Sequence, residues 1–277
     1  DGAIGGNLKK LAVKELQLRD NAGNQIALTG FINQPTDSKN LYASFNKLDV
    51  QSGKSAINAW LPDGTLPNNI DLPASLRVQG QLAASTRSAK TDLQVQSSFG
   101  MVSLAGSIDN FTDSIGATYN LHVRKLDMQA GKWIKDTSIG RIVGAGKISG
   151  RGYALPTMAA QTDLTVQQAY YNGYRYHDIK VSGDIAKGNY KAAVSSLDSN
   201  LQATVHLAGN ISNRFPTVDG KMQLDRVDLM ALGLSSSPMV VKGIFKVDLQ
   251  NAQPRQLNGS FDVVELQLAD GKNIYAL

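Results

Sequence analysis

Ile26–Ile32 reads IALTGFI, Val102–Ile108 reads VSLAGSI, and Val205–Ile211 reads VHLAGNI. In each stretch every second residue is apolar or glycine: Ile26, Leu28, Gly30 and Ile32, then Val102, Leu104, Gly106 and Ile108, then Val205, Leu207, Gly209 and Ile211. The residues between them are small or polar, such as Ser103, Ala105 and Ser107. A period of two is the mark of a β-strand with one apolar face. Its recurrence along the chain marks an internal repeat.

The residues after each copy are shared as well. A polar turn (NQPTDSK, DNFTDSIG or SNRFPTVDG) leads into a second strand with a common signature. That signature is Phe45-Asn-Lys-Leu48-Asp-Val50, Val123-Arg-Lys-Leu126-Asp-Met128 and Leu224-Asp-Arg-Val227-Asp-Leu229. Its first and fourth residues cannot share a face of a regular strand, so a bulge is expected near Lys47, Lys125 and Arg226. A short apolar loop or single helical turn comes next: SAINAWL, GKWIKD or LMALGL. Glycine at positions 30, 106 and 209 removes a side chain from the apolar face, which favours bending or close approach of a neighbouring strand.

The same alternation runs through LRVQGQL at Leu76–Leu82, TDLQVQSS at Thr91–Ser98, YNLHVR at Tyr119–Arg124 and GKMQLDRV at Gly220–Val227, with turn formers between the runs. The expected fold is all-β, a repetitive antiparallel sheet. Approximate units are 1–73, 74–139, 140–238 with an inserted hairpin at 161–184, and a shorter 239–277. VKELQLRDNAGNQIAL at Val13–Leu28 and VVELQLADGKNIYAL at Val263–Leu277 share one strand-turn-strand order. Both ends thus read as falling inside repeat units, as in a fragment of a longer repetitive protein.

The inserted hairpin holds AYYNGYRYHD at Ala169–Asp178. Asn172-Gly173 is a signal for a two-residue type I′ turn. Pairing outward from it sets Tyr171 against Tyr174, Tyr170 against Arg175, Ala169 against Tyr176, Gln168 against His177 and Val166 against Ile179. Strict alternation then places Tyr171, Tyr174 and Tyr176 on the polar side. Tyr170 falls with Leu164, Val166, Ile179 and Val181.

Composition narrows the function classes. The 277 residues are 42% hydrophobic, with a net charge of +5 and no cysteine. No apolar run approaches the roughly 18 residues of a spanning helix, and DGAIGGNLKK lacks the apolar core of a signal peptide. Zero cysteines excludes disulfides and thiolate metal sites and is compatible with an oxidising compartment. Lys and Arg are scattered among acids, so no basic block is present to neutralise a row of phosphates, and nucleic acid is not an expected partner.

Catalytic chemistry finds little support. His122, His177 and His206 each stand alone among strand residues, with no nucleophile and acid repeated beside them. GRIVGAGKISGRG at Gly140–Gly152 fails the phosphate-loop spacing, because Arg141 occupies the first glycine position and Ile148 the Ser/Thr position. Asp49, Asp127 and Asp228 recur, but each has Lys47, Lys125 or Arg226 two positions before it, which reads as a solvated ion pair. No catalytic residue, metal or cofactor is expected, and the chain reads as a non-enzyme.

The order TDLTVQQAYYNGYRYHDIKVSGDIAKGNYKAAVSSLDSNLQATVHLAGNIS, then a turn and DGKMQLDRVDLMALGL, resembles the repetitive region of the TamB proteins of Gram-negative bacteria, especially Bacteroidetes-type sequences. TamB belongs with the AsmA-like envelope proteins. The likeness spans most of residues 75–277 and is one of pattern and phrase. It implies a periplasmic sheet curved strongly into an elongated U-shaped trough, a β-taco, with a hydrophobic interior. The full-length protein would be anchored in the inner membrane and would act in phospholipid transport to the outer membrane and in outer-membrane protein assembly. Its partners would be acyl lipid and, through regions outside this chain, an Omp85-type barrel protein. Candidate groove residues are Ile26, Leu28, Val102, Leu104, Ile108, Val205, Leu207, Ile211 and Tyr170. The alternative is a secreted or surface β-sandwich adhesin or carbohydrate-binding module, with those residues in a closed core and the tyrosines exposed. A transmembrane β-barrel would want aromatic girdles at both strand ends, whereas the tyrosines here bunch in one hairpin.

Overall fold

A computed structural model describes residues 2–60, 65, 67–211, 215–253 and 255–276. Leu61 after the first helical turn and residues 212–214 of the third polar turn lie outside the described residues. The fold is all-β, and among the described residues seventeen strands are assigned to one antiparallel sheet. It divides into two compact units, Asp1–Arg141 and Ile142–Leu277.

In the first unit the strands are β1 (Ala3–Asn7), β2 (Lys10–Arg19), β3 (Gln25–Asn33), β4 (Tyr42–Ser52), β5 (Leu76–Ser85), β6 (Ala89–Ser97), β7 (Gly100–Asp109) and β8 (Thr118–Gln129). Each pairs with the next. Two short helices, α1 (Lys54–Trp60) and α2 (Ala130–Ile134), follow β4 and β8. Strand β9 (Ile139–Arg151) contains the boundary between the units.

The second unit continues with β10 (Ala159–Tyr171), β11 (Tyr174–Ala186), β12 (Asn189–Asp198), β13 (Leu201–Asn210), β14 (Thr217–Asp228), β15 (Val240–Asn251), β16 (Asn258–Ala269) and β17 (Ile274–Ala276). Here too each pairs with its successor. The repeated stretches are β3, β7 and β13, and the signature strands are β4, β8 and β14. The inserted hairpin is β10–β11.

The expected bulges occur at all three signatures. Between β3 and β4, Thr29 pairs Lys47 but Gly30 pairs Phe45, leaving Asn46 over. Between β7 and β8, Ser103 pairs Lys125 but Leu104 pairs Val123, leaving Arg124 over. Between β13 and β14, Gln202 pairs Arg226 but Ala203 pairs Leu224, leaving Asp225 over. One extra residue shifts the alternation by one, so Phe45 and Leu48, Val123 and Leu126, and Leu224 and Val227 each come to one face.

The repeated glycines have a steric cause. A Cβ at Gly106 would stand 2.7 Å from the carbonyl oxygen of Asn120 on β8. Cβ atoms at Gly30 and Gly209 would collide with the carbonyl oxygens of Ser44 and Thr217, the equivalent positions on β4 and β14. In every copy the colliding oxygen belongs to the residue just before the glycine's ladder partner. A backbone oxygen cannot swing away as a side chain can.

Little of the molecule is fully enclosed. Buried hydrophobic residues are Val13, Ala56, Ala117, Val227 and Leu232 among those described. Ala56 lies in α1 and Leu232 in the turn after β14, so both belong to segments that come after a bulged strand. The accessible surface is 17039 Å² for 29.7 kDa. Two separate compact globules of half that mass would together expose only about 14,000 Å².

Replacing Gly209 with alanine is expected to destabilise the second unit by about 1–3 kcal/mol, because the ladder around Thr217 must shift. Gly5→Ala is the control, since a Cβ there meets nothing within 4 Å. Urea unfolding followed by far-UV circular dichroism measures both.

Candidate functional site

Cross-strand pairing gathers the alternate residues into continuous apolar rows. In the first unit one row is Leu16, Leu28, Leu48, Gly80, Leu93, Leu104 and Val123. The next on the same face is Leu18, Ile26, Val50, Val78, Val95, Val102 and Leu126. Ile108 lies on this face too, between Ala89 and Tyr119.

The second unit repeats the arrangement. Leu164, Val181, Val194, Val205, Met222, Phe245 and Val263 form one row. Beside it run Thr162, Gly183, Ala192, Leu207, Gly220, Val247 and Phe261. Over Gly220 the row is closely packed: a Cβ there would meet Leu207 Cδ2 at 2.6 Å and Val247 Cγ1 at 3.0 Å. Ile26, Leu28, Val102, Leu104, Ile108, Val205 and Leu207 are all half-buried. Ile211 lies one residue beyond β13 and is 39% exposed.

The clefts are lined chiefly, not wholly, by residues of the opposite face. In the second unit a cleft of about 880 Å³ is lined by Asp163, Lys191, His206, Lys221, Lys246 and Asp248, with Ala192, Leu207, Gly220 and Val247 of the apolar row between them. The first unit has one of about 590 Å³ lined by Ser44, Gln81, Lys90, Asp92, Asn120 and His122 with their neighbours. These concavities lie where the small residues Ala193, Ala208, Ala105 and Ser107 stand between longer polar ones. Sequence reasoning passed over them, although the small residues of the polar face were the available signal.

The tyrosine hairpin pairs as expected, from Tyr171 with Tyr174 to Val166 with Ile179. Asn172 (φ 47°) and Gly173 (φ 85°) both take the left-handed region a type I′ turn requires. The expected faces need correction. Asp178 is also left-handed (φ 52°), and the ladder skips it and Gln167 opposite. Alternation therefore slips by one on the turn side of this point. Tyr174 and Tyr176 become half-buried while Arg175 is exposed. Tyr170, the ladder partner of Arg175, goes with it to the other face and is 38% exposed. It is therefore not continuous with Leu164 and Val166.

The slip creates a polar knot. Asp198, 2% exposed at the end of β12, accepts from the Tyr174 hydroxyl at 2.6 Å, from His177 N–H at 2.9 Å and from Asn200 N–H at 2.8 Å. Asn200 Nδ2 donates to the Tyr174 oxygen at 3.2 Å, and the Tyr174 and Tyr176 rings meet edge-on at 4.7 Å. With three donors on its two oxygens, this buried carboxylate ties β11 and β12 to the turn that leads into β13. Burial, and then the carboxylate itself, push the Tyr174 hydroxyl above its ordinary pKa.

The recurring aspartates are anchors, with partners partly different from those expected. Asp49 is held by the fork of Arg77 at 2.9 and 2.5 Å, and Asp127 by that of Arg141 at 2.7 and 2.8 Å. Only Asp228 pairs with the base two positions before it, Arg226, at 3.1 Å. The arginines on following strands reach farther and bind both carboxylate oxygens, which a lysine cannot do. Arg77 and Arg141 hold Asp49 and Asp127 below the usual carboxylate range. Among the described residues no cluster of three or more metal-ligating side chains forms, and no helix is long and apolar enough to cross a membrane.

Comparisons with protein-family models, with curated proteins and with solved structures returned no match.

Tyr174→Phe is expected to cost about 1–3 kcal/mol, because Asp198 loses a donor in a buried place. With its folded pKa raised, Tyr174 contributes stability that is complete below about pH 10 and lost as pH rises through the folded value. The variant should lack that share of the alkaline loss, as urea melts at neutral and alkaline pH would report. For Asp49 and Asp127 the sign is reversed: their lowered pKa values stabilise above about pH 4, and the effect is lost as pH falls through the folded values. Asp49→Asn with Asp127→Asn should cost no more than about 1 kcal/mol per site at pH 7. The gap to the parent protein should shrink in acid.

Proposed function

We propose that the apolar face is the working surface and that the chain is a non-enzymatic, periplasmic, TamB/AsmA-like segment sheltering phospholipid acyl chains. The sheet would curve lengthwise around that face as a trough, carrying lipid between the inner and outer membranes or supporting nascent outer-membrane strands. The observation that carries this reading is the set of apolar rows running across seven successive strands in each unit, half-buried along most of their length and exposed at Leu18, Phe261 and Val263. A sheet pressed against a second layer would enclose Leu104 and Leu207; here both keep contact with solvent.

The energetics suit an acyl ligand. Each methylene withdrawn from water is worth about 0.8 kcal/mol, so ten contribute roughly 8 kcal/mol. No polar group has to be matched along the chain, and a row of Leu, Val and Ile has none to leave unsatisfied. The resemblance to TamB repeats supplies the compartment, and with it the Omp85-type partner acting through other regions of the longer protein.

Photo-crosslinking side chains at Leu104 and Leu207 should label phospholipid in the envelope of a Gram-negative cell. The same group at Ser103 and His206, on the polar face, should not. Lipid extracted from the purified protein and identified by mass spectrometry is the companion measurement. Absence of lipid from both assays, or labelling confined to His206, would contradict the reading; the second result would put the ligand in the polar cleft.

A further inference from the structure

Across β13, β14 and β15 the polar face carries three bases in one line. His206 pairs Lys221, and Lys221 pairs Lys246. Like charges set directly opposite one another on neighbouring strands destabilise a sheet. All three side chains are exposed, and among the described residues none of them takes part in an ion pair.

The next line on the same face is acidic. It lies two residues along each strand, about 6.8 Å away, where Ala208 pairs Asp219 and Asp219 pairs Asp248. Lys221 and Asp219 on β14, and Lys246 and Asp248 on β15, are thus near enough to close as ion pairs, yet neither does. Asp248 accepts from Gln250 Nε2 at 2.7 Å instead. Ala193, the ladder partner of His206 on β12, and Ala208 leave room over the two lines. Both lines border the cleft of about 880 Å³.

The repeat does not call for this arrangement. His206 is the second residue of VHLAGNI, and the same position is Ala27 in the first copy and Ser103 in the second. Their ladder partners are Asp49 and Lys125. In the first copy the line runs on to Gln79, and Asp49 is satisfied by Arg77 and Gln79. Bulge and glycine are common to the three copies, whereas the row of three bases belongs to the third alone.

We propose that His206, Lys221 and Lys246 bind the phosphate of a small, water-soluble phosphorylated amine whose ammonium lies over Asp219 and Asp248. Three donor side chains match the three terminal oxygens of a phosphate monoester, which carries a charge of about −2. A carboxylate offers two oxygens and a single charge. Lysine suits the role because an ammonium binds phosphate as a point charge and needs no fork geometry. Such a ligand relieves both like-charge contacts, Lys221 with Lys246 and Asp219 with Asp248. A polyphosphate chain such as nucleic acid would meet the acidic line as well as the basic one. The site is independent of what the apolar rows bind.

Chemical-shift mapping of the whole chain during titration with phosphoethanolamine tests this. Saturable shifts are expected at the backbone amides of His206, Lys221 and Lys246. Lys221→Gln with Lys246→Gln should weaken binding roughly tenfold or more, while the urea midpoint stays level or rises because the like-charge pair is gone. Glycerol phosphate, which lacks the ammonium, should bind more weakly than phosphoethanolamine; Asp219→Asn with Asp248→Asn should narrow or reverse that order. Dihexanoyl phosphatidylethanolamine, a phosphodiester with two terminal oxygens, should bind less well than the free monoester. No saturable shift, equal affinity for phosphoethanolamine and glycerol phosphate, or binding unchanged in the lysine variant would overturn the proposal. Equal affinity for the diacyl lipid would also overturn it, by making the site one for lipid headgroups. None of these outcomes depends on whether the apolar face holds acyl chains.

Discussion

One unpaired residue in the second strand of each repeat, Asn46, Arg124 or Asp225, keeps the apolar face continuous. Without it, Leu48, Leu126 and Val227 would point away from Phe45, Val123 and Leu224, and every row crossing the signature strand would break there. The glycines at 30, 106 and 209 belong to the same solution. They admit the carbonyl oxygens of Ser44, Asn120 and Thr217 at distances that leave no room for a Cβ. Bulge and glycine together let adjacent strands bend without losing register.

Much of this was legible before any coordinates, because side-chain alternation in a strand is a hard geometric rule. It gave the strands, the ladder of the Asn172-Gly173 hairpin and the positions of the bulges. It went wrong at Asp178, where a single left-handed residue reverses the rule and no local pattern announces it. Aspartate tolerates that conformation better than most residues, but so many aspartates stand in ordinary strands that the residue type alone decides nothing. The partners of Asp49 and Asp127 were missed for a different reason. Arg77 and Arg141 come from following strands, and only the finished ladder brings them within reach.

In the second unit the Asp198 carboxylate is a fastening: it is buried and takes three donors. The Tyr174 hydroxyl and the edge-on contact of the Tyr174 and Tyr176 rings both belong to that knot. What remains accessible over a large area is hydrocarbon on one face and mixed small polar and charged residues on the other. The exposed surface exceeds that of compact globules of the same mass, and few of the described hydrophobic residues are fully buried.

The central claim is that one face of the sheet, and not the other, meets acyl chains. Paramagnetic broadening of methyl resonances by a phospholipid with a nitroxide near the chain terminus tests it most directly. The methyl groups of Leu28, Leu104, Val205 and Leu207 should broaden together at low occupancy, while those of Ala105 and Ala208 on the polar face stay sharp. Broadening spread equally over the two faces, or confined to Ala105 and Ala208, would contradict the account.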